Sequence, residues 1–339
     1  MKPGSLDGYE PALEWLRRRG HRVICSSSTC WFDVFPRIYQ AFPYHFLIEP
    51  SSEELRQVMR EHRALGLRYS TPMTAPIGKV SYHVFASGQE YGMEQLTRQA
   101  RQAVRKGTQF ASIEPISLAR LSDEGWLLHA ETLVRQRRSK DENKNYWRNF
   151  CLSAKGLPGF EAWGAIHDGK LAASLLLFIA NGHVTMLCHQ SRTAYLEFGI
   201  NNALAYVCSQ NVLSRPGVKE IFYGLHSLDA SWQVDEFKFR MGYTARPVRQ
   251  RVWLHQVARL AMNPAILAAL KYLGRTLPDF HRLAKAEGMV DFYQEGNRPL
   301  AEQRWPRCLL KQKKELLSKL QSLNDDGNAN INLKEVSNG

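Results

Sequence analysis

The segment HSLDASWQVDEFKFRMG concentrates acidic, basic and aromatic side chains that could bind a substrate or move a proton, although it carries no catalytic signature. His226 and Asp229 are candidate bases, since histidine titrates near neutral pH and a carboxylate can hold an amine. Lys238 is a candidate ligand for an anionic group, with Ser227 and Trp232 as further candidate substrate contacts. The alternatives are a helix cap for Asp229 and a solvated helix position for Lys238.

A second candidate segment, HQSRTAYLEFG, leads into a predicted helix. Free backbone N–H groups at the start of that helix would bind a phosphate or an oxyanion, and Arg192 would add positive charge. His189 is another candidate base, and Tyr195 is a candidate proton donor. The alternatives are an ordinary capped helix start, half-buried packing of Tyr195 and a structural role for each histidine. The candidate cofactor-binding residues are Arg192, Thr193, Ala194 and Leu196.

Positive charge is abundant along the chain. The 339 residues carry a formal net charge of +13, which favours anionic partners such as nucleic acid, phosphorylated cofactors or anionic lipid. In TRQARQAVRKG the spacing places Arg98, Arg101 and Arg105 on one helix face. That face could meet the phosphates of tRNA or of a sugar-phosphate substrate, with Arg101 and Arg105 as candidate substrate contacts. A solvated helix face is the alternative.

The composition, with 44% hydrophobic residues, is that of a soluble globular protein. Six cysteines lie without C-x-x-C spacing, so we expect mostly buried, reduced thiols and neither a zinc site nor a disulfide framework. The N-terminus lacks the apolar region of a signal peptide, and no apolar run approaches the roughly 20 residues that span a bilayer. These features predict a cytoplasmic protein without a bound metal.

The elements that must position these side chains follow an alternating order. From Phe160 to Leu254 the pattern predicts β-β-β-α-β-α-β, with hairpin turns at HDGK and NGH. Upstream, strands are predicted in HRVICS, YHFLIEP, LRYSTP, KVSYHVFA and QFASIEPI. A helix is predicted in SSEELRQVMREHRALG, with Gly66 at its end, and another in MEQLTRQARQAVRKG, with Gly107 at its end. A third, long helix is predicted with a potential break at Gly125. This order predicts an α/β fold with a mixed sheet.

The order of elements resembles that of the GNAT (acyl-CoA N-acyltransferase) fold, and two motifs make the resemblance more specific. Phe237, Lys238 and Gly242 match the F-K-x-x-x-G element of the Fem-like branch, and RQAVRKG matches its basic helix. The chain is therefore similar to Fem-type or CelD-type acyltransferases. The glycine pattern that cradles the CoA pyrophosphate in classical GNAT proteins is missing from CHQSRTAYLEFGIN.

The resemblance implies tandem GNAT-like halves at residues 1–115 and 116–254. Residues 255–323 are predicted to form a C-terminal helical extension, and the polar tail at 324–339 is predicted to be disordered. Within the extension, WPRCLLKQKKELLSKLQSL is amphipathic and basic. Such a helix predicts peripheral membrane contact or, more commonly, packing on the body of the protein.

The function that the resemblance implies is N-acyl transfer without a covalent enzyme intermediate. Such a transfer needs a polarised acyl carbonyl, a base for the amine and a proton donor for the leaving group. The donor would be acyl-CoA or an acyl-carrier thioester, and the acceptor an amine on a small molecule or a cell-envelope precursor. One alternative is a Fem-type transferase that uses aminoacyl-tRNA to extend a peptidoglycan peptide. Another is a GNAT-like module that binds an anionic partner without catalysis. DNA is not an expected partner.

Overall fold

The computed structural model describes residues 6–88, 91–136, 142–228, 232–260, 265, 268–269, 272 and 281–323. Asp229 lies outside the described residues, and for Trp232 only the backbone is described. The strands are β1 (Val23–Cys25), β2 (Cys30–Phe35), β3 (Ile38–Phe42), β4 (Gly66–Thr71), β5 (Lys79–Ser87), β6 (Ser112–Ile116), β7 (Phe160–His167), β8 (Lys170–Ala180), β9 (His183–Ser191), β10 (Glu220–Leu225) and β11 (Thr244–Leu254).

The strands form one mixed sheet in the order β1-β2-β3-β4-β11-β5-β10-β9-β8-β7-β6. The described neighbours are antiparallel except β3–β4 and β9–β10, which are parallel. Strand β11 of the second predicted half lies between β4 and β5 of the first half, so the two halves share one continuous sheet.

The described helices pack on both faces of this sheet. They are α1 (Glu10–Arg18), α2 (Ser52–His62), α3 (Arg98–Phe110), α4 (Leu118–Arg135), α5 (Lys144–Leu152), α6 (Ile200–Leu213), α7 (Trp232–Arg240), α8 (Gln256–Leu260) and α9 (His281–Gly296), with a further helix at residues 313–323. Successive side chains of a strand point to opposite faces. Leu175 and Leu177 of β8 accordingly share a core with α3 and α6, whereas Leu176 shares a core with α4 and α5.

The predicted order from Phe160 to Leu254 is confirmed by β7 to β11 with α6 and α7 between them. The two hairpins turn at the predicted Asp-Gly and Asn-Gly pairs, where Asp168 and Asn181 have φ angles of 49° and 53°. The predicted α/β class with a mixed sheet is thereby confirmed.

The N-terminal region corrects one strand prediction. The segment YHFLIEP forms an isolated bridge between Leu47 and Ser70 and no ladder strand. The sheet is extended instead by β2 and β3, which the sequence reasoning missed. The turn between them has Arg37 at a φ of 65°, a conformation that glycine or asparagine usually supplies, so no strong hairpin signal marked it.

The cysteine prediction is wrong for one pair. Cys25 and Cys30 form a disulfide, because they face each other as paired residues of the β1–β2 hairpin. The free thiols are Cys151, Cys188, Cys208 and Cys308. Burial raises the pKa of the Cys188 and Cys308 thiols to about 12, so both stay protonated at neutral pH.

Gly66 and Gly125 do not have their predicted roles. Helix α2 ends at His62, and Arg63 takes the left-handed cap position with a φ of 51°, while Gly66 begins β4. Helix α4 runs unbroken through Gly125. A Cβ atom at Gly125 would lie 2.8 Å from the Trp147 ring of α5, so glycine is needed there for packing between the two helices.

Gly107 does not end α3, which continues to Phe110. A Cβ atom at Gly107 would lie 2.5 Å from the carbonyl oxygen of Gly199 and 2.6 Å from the Ala203 side chain. The missing side chain therefore lets α3 approach α6 closely.

Replacing Gly107 with alanine is expected to destabilise the protein by about 1–3 kcal/mol through overpacking. An alanine in a helix normally stabilises it by up to about 1 kcal/mol over glycine, so the sign of the effect is diagnostic. Urea unfolding measures it, with Gln109→Ala on the exposed face of the same helix as the control. A stabilised Gly107→Ala variant would contradict the close contact.

The C-terminal extension docks at the start of β5. Gln303 is buried, accepts a hydrogen bond from the Val80 N–H at 2.8 Å and donates to the Gly78 carbonyl at 3.1 Å. The Gly78 N–H donates in turn to the Gly296 carbonyl at 2.9 Å, and Trp305 joins the core beside β5. This part of the extension is therefore built into the folded body.

The helix at residues 313–323 packs its Leu316 and Leu317 side chains against the same core, while Lys314 and Lys319 are exposed. This contact supports packing on the body, and peripheral membrane contact stays a prediction. In the part of the chain that the structure describes, no helix combines the length and apolar character that a membrane crossing requires.

Candidate active site

The parallel strands β9 and β10 separate partway along their length, and a cavity opens between them. Their ladder joins Glu220–Phe222 to His183–Thr185, although β9 continues to Ser191. A bulge interrupts each strand near this point, at Leu187 of β9 and Tyr223 of β10. Bulges often redirect a side chain beside an active site. The cavity has a volume of about 490 Å³.

Three polar side chains on the wall of this cavity form a connected group. The Nδ1 atom of His189 lies 2.7 Å from the Tyr223 hydroxyl. The Lys238 Nζ atom lies 5.1 Å from the centroid of the Tyr223 ring, a cation–π contact. We call the cavity bounded by His189, Tyr223 and Lys238 the first cavity.

A buried ion pair fixes the position of Lys238. Its Nζ atom lies 2.7 Å from Asp235 Oδ1, and the Tyr82 hydroxyl donates to Asp235 Oδ2 at 2.6 Å. The exposed fractions are 8% for Lys238 and 4% for Asp235, so the solvated alternative for Lys238 is wrong. An ammonium group held in this way is preorganised to stabilise negative charge that develops during a reaction.

The His189–Tyr223 pair is neutral at pH 7. Burial and the nearby Arg135 lower the pKa of His189 to about 4. The Asn201 side chain lies close to the His189 ring and opposes this shift, although Asn201 and His189 make no hydrogen bond of good geometry. Burial, assisted by the nearby Cys208 thiol, raises the pKa of Tyr223 well above its usual value. A phenol that keeps its proton can donate it to a leaving group.

Four buried polar atoms of the first cavity lack a hydrogen bond of good geometry among the described residues, and two of them, on His189 and Asn201, lie close to each other. Leaving a buried polar group unpaired costs about 1–3 kcal/mol, and folded proteins rarely do so. Water or a polar ligand in the cavity can supply these partners. They are His129 Nδ1, His189 Nε2, Gln190 Oε1 and Asn201 Oδ1. Sequence reasoning missed His129, Gln190 and Asn201, which lie on α4, β9 and α6.

A carboxylate of the protein itself contacts the segment that was predicted to bind a phosphate. Glu131 accepts hydrogen bonds from Arg192 Nε at 2.7 Å and from the Thr193 N–H at 2.5 Å. Burial opposes the charge of Glu131, but these hydrogen bonds outweigh it and lower the pKa of the carboxyl group. Ala194 is exposed, and Leu196 lines the first cavity. Arg192 and Thr193 thus already hold an internal anion.

The start of α6 is also obstructed. Residues Thr193–Phe198 form a 3₁₀ helix, and α6 begins at Ile200 directly after Gly199. A Cβ atom at Gly199 would lie 2.3 Å from the Ala103 carbonyl oxygen of α3. Because the two helix backbones approach so closely, little space is left at the α6 N-terminus for a pyrophosphate group.

Three other predicted residues lie away from the first cavity. The ring of Tyr195 packs against Phe110 and His167 at centroid distances of 5.6 and 5.7 Å. This placement does not support Tyr195 as the proton donor, because its ring is directed into an aromatic cluster. Arg101 donates to a backbone carbonyl of the preceding segment at 2.7 Å, and Arg105 is exposed on α3.

His226 lies on the other side of the Lys238–Asp235 pair from His189. Its ring stacks on Tyr82 at 4.6 Å, and its Nδ1 atom is 3.2 Å from the Ser81 hydroxyl. Ser227 follows it and is partly buried. Thus His189 and Lys238 both line the first cavity, whereas His226 does not. Within the described residues, no group of His, Cys, Asp or Glu side chains is arranged to hold a metal ion.

The buried neutral histidines give a prediction for stability as a function of pH. Burial, together with nearby cations, lowers the pKa of His189 and of His226 from 6.5 to about 4. Between these pH values the unfolded chain binds protons that the folded chain does not, so stability falls as the pH is lowered from 6.5 towards 4. Each such histidine adds up to about 1.4 kcal/mol per pH unit to the slope.

Urea unfolding between pH 7.5 and 5 tests this dependence above the range in which most carboxyl groups titrate. His189→Asn is expected to lower the slope relative to the wild type. A wild-type free energy of unfolding that stays constant from pH 7.5 to 5 would show that these histidines are not held neutral.

Comparison with known proteins shows similarity at the level of the fold. No protein-family model matches the chain, and no curated protein matches it significantly. The crystal structure of FemX has a TM-score of 0.52 at 9% identity, covering 77% of this chain and 95% of FemX. The C-terminal DUF2156 domain described as that of a lysylphosphatidylglycerol synthetase from Agrobacterium fabrum has a TM-score of 0.50 at 12% identity, covering 74% of this chain and 90% of that domain.

These similarities confirm the fold that the resemblance implied. The chain has a GNAT-type fold, shared with FemX, and a C-terminal helical extension packs on it. Membership of the Fem-like branch and the division into tandem halves stay predictions. At such low sequence identity the similarity shows only a shared fold. The chemistry must therefore be argued from the first cavity.

Proposed function

We propose that this protein is an acyltransferase that moves an acyl or aminoacyl group from an activated ester or thioester to an amine, with the first cavity as its reaction centre. One observation carries the proposal. At the point where β9 and β10 separate, a neutral imidazole, a protonated phenol and a fixed ammonium group surround a cavity with unpaired buried polar atoms. An acyl transfer needs these types of group and no covalent intermediate.

The proposed reaction is a direct attack of the amine on the acyl carbon. The new C–N bond forms as the C–O or C–S bond to the leaving group breaks. Lys238 stabilises the negative charge that develops on the carbonyl oxygen, and Tyr223 donates its proton to the leaving group. The amine releases one proton, which returns to Tyr223 through His189, so the proton count balances. His189 can carry it because its Nδ1 atom contacts the Tyr223 hydroxyl.

The donor is acyl-CoA or an acyl-carrier thioester in the first form of the proposal. The acceptor is then an amine on a small molecule or a cell-envelope precursor, and the expected location is the cytoplasm. The absence of the glycine pattern and the contact of Glu131 with Arg192 and Thr193 make the classical CoA pyrophosphate position hard to use.

Aminoacyl-tRNA is the second candidate donor, and the same obstruction favours it. An aminoacyl ester needs no pyrophosphate cradle beside α6, and the net charge of +13 suits a nucleic acid. Arg98 and Arg105 are exposed on α3, where tRNA phosphates could approach. One structure with this fold carries the name lysylphosphatidylglycerol synthetase, which states an aminoacylated product for that protein.

A single-turnover assay with two labelled donors tests the proposal. Purified protein is mixed separately with labelled acetyl-CoA and with a labelled pool of aminoacyl-tRNA, each with spermidine and a cell-envelope extract as acceptors. We expect one donor to lose its label to an amine. A gel shift with tRNA at physiological salt separates the two donors independently. If neither donor is discharged or bound, the proposal fails and a non-catalytic binding module takes its place.

A further inference from the structure

A second cavity, of about 370 Å³, lies across the Lys238–Asp235 ion pair from the first cavity. Lys238 lines the first cavity and Asp235 lines the second, so one ion pair separates them. Two separate parts of the chain line the second cavity. The sheet and α7 supply Lys79, Tyr82, His226 and Asp235, and the C-terminal extension supplies Arg304, Trp305, Pro306 and Arg307.

The extension holds its side of this cavity in a defined position. Gln303, which precedes the lining residues, is 3% exposed and is hydrogen-bonded to both Val80 and Gly78 at the start of β5. Trp305 is buried, and its indole N–H donates to the Leu300 carbonyl at 3.1 Å. The cavity is therefore formed between fixed elements.

Positive charge exceeds negative charge around the second cavity. Lys79 pairs with Asp291 at 2.5 Å, and Arg304 pairs with Asp291 and with Glu295. Lys238 neutralises Asp235 from the first cavity. Three cations line the cavity, Lys79, Arg304 and Arg307, with one carboxylate, Asp235. When the ion-pair partners Lys238, Arg298, Asp291 and Glu295 are included, five cations stand against three carboxylates, again an excess of two positive charges.

Arg307 supplies unused hydrogen-bond donors at this place. It lines the second cavity, is exposed, and has no ion pair or hydrogen bond from its guanidinium group to any other described residue. A guanidinium group presents donors in a fixed planar arrangement that matches the oxygens of a phosphate.

The pKa of His226 reflects the positive electrostatic potential in the same cavity. Burial lowers its pKa first, and Lys79, Arg68 and Lys238 lower it further, while Asp235 opposes them. The cations near His226 thus outweigh the carboxylate. An anion in the cavity would be stabilised by the field that disfavours a protonated imidazole.

We propose that the second cavity binds a phosphate group of a second substrate, held by Arg307, Arg304 and Lys79. The identification of this substrate as the acceptor of the acyl transfer rests on the proposed function. The binding of a phosphate group does not depend on the proposed function. The ion pair would then place the phosphate-bearing molecule beside the first cavity. Because the C-terminal extension builds half of the site, removing the extension removes the site.

Isothermal titration with inorganic phosphate and with glycerol 3-phosphate tests this inference without any turnover. The wild type is expected to bind, and Arg307→Ala is expected to weaken binding by roughly tenfold or more, the effect of losing a hydrogen bond to a charged group. Arg60→Ala is the matched control, since Arg60 is also exposed but lies on α2 and does not line the cavity. It should leave binding unchanged.

A vesicle flotation assay distinguishes a lipid phosphate from a soluble one. Vesicles of phosphatidylglycerol are compared with vesicles of phosphatidylcholine for the same three proteins. A lipid phosphate would be supported if the wild type and Arg60→Ala bind the anionic vesicles but not the phosphatidylcholine vesicles, and if Arg307→Ala binds neither. The inference is overturned if the wild type binds neither soluble phosphate nor anionic vesicles, or if the two variants lose binding equally.

Discussion

Replacing Lys238 with methionine should lower the rate of acyl transfer by about 10²–10³-fold, the effect of losing one preorganised donor to a developing oxyanion. The same change leaves the Asp235 carboxylate, which is 4% exposed, without its cation. We therefore expect the free energy of unfolding to fall by about 3–5 kcal/mol. Single-turnover kinetics and urea unfolding measure the two effects.

Two further variants separate catalysis from stability at this position. The double variant Lys238→Met with Asp235→Asn removes both charges, so it should regain most of the lost stability and none of the lost rate. Lys319→Met breaks an exposed pair with Glu315 and should have little effect on stability and none on transfer. Restored transfer in the double variant would mean that Lys238 acts only as a structural partner of Asp235.

Replacing Tyr223 with phenylalanine removes the proposed proton donor and should slow transfer by about 10²–10⁴-fold. The expected loss is greater for a leaving group of high pKa, such as an alcohol, than for a thiol, because an alcohol needs its proton earlier. The His189 Nδ1 atom loses its 2.7 Å partner, which should cost about 1–3 kcal/mol of stability. Transfer kinetics with an ester donor and a thioester donor measure the difference.

Tyr195→Phe is the control for this experiment. Tyr195 was the predicted proton donor, yet its ring packs against Phe110 and His167 and does not line the first cavity. Its variant should keep the wild-type rate within about a factor of two, as expected for a residue outside the reacting group. A slow Tyr195→Phe beside a normal Tyr223→Phe would reverse the two assignments.

The sequence predicted those parts of the fold that strong local signals mark. The hairpins of the second half were predictable because Asp168-Gly169 and Asn181-Gly182 suit turns with positive φ. The β2–β3 hairpin was not, since Arg37 adopts a positive φ without such a signal. The role of Gly107 was misjudged because a glycine that allows two helices to touch has the same local appearance as one that ends a helix.

The candidate site could be predicted only in part from the sequence. Lys238 and His189 were singled out, one through the F-K-x-x-x-G resemblance and one through its place at the end of a strand. Tyr223 was missed because a bulge shifts the register of β10 between Phe222 and Gly224. A bulge changes which side chains face a cavity, so the period of two along a strand does not reveal them.

The second cavity depends on contacts between segments that are far apart in the chain. Lys79 and Arg304 both pair with Asp291, across separations that no local pattern records. The composition of the extension predicted amphipathic helices. Nothing in the sequence predicted the contact of Gln303 with β5. Such a site becomes visible only when the packed structure is known.

The central claim, that the first cavity is the reaction centre, is tested most directly by single-turnover transfer from whichever donor the wild type discharges. His189→Asn, Tyr223→Phe and Lys238→Met are compared with Tyr195→Phe and Lys319→Met. The proposal predicts rate constants at least about 10²-fold lower for Tyr223→Phe and Lys238→Met, a smaller but clear loss for His189→Asn, and control rates within about twofold of the wild type. Equal rates in all five variants would contradict the claim.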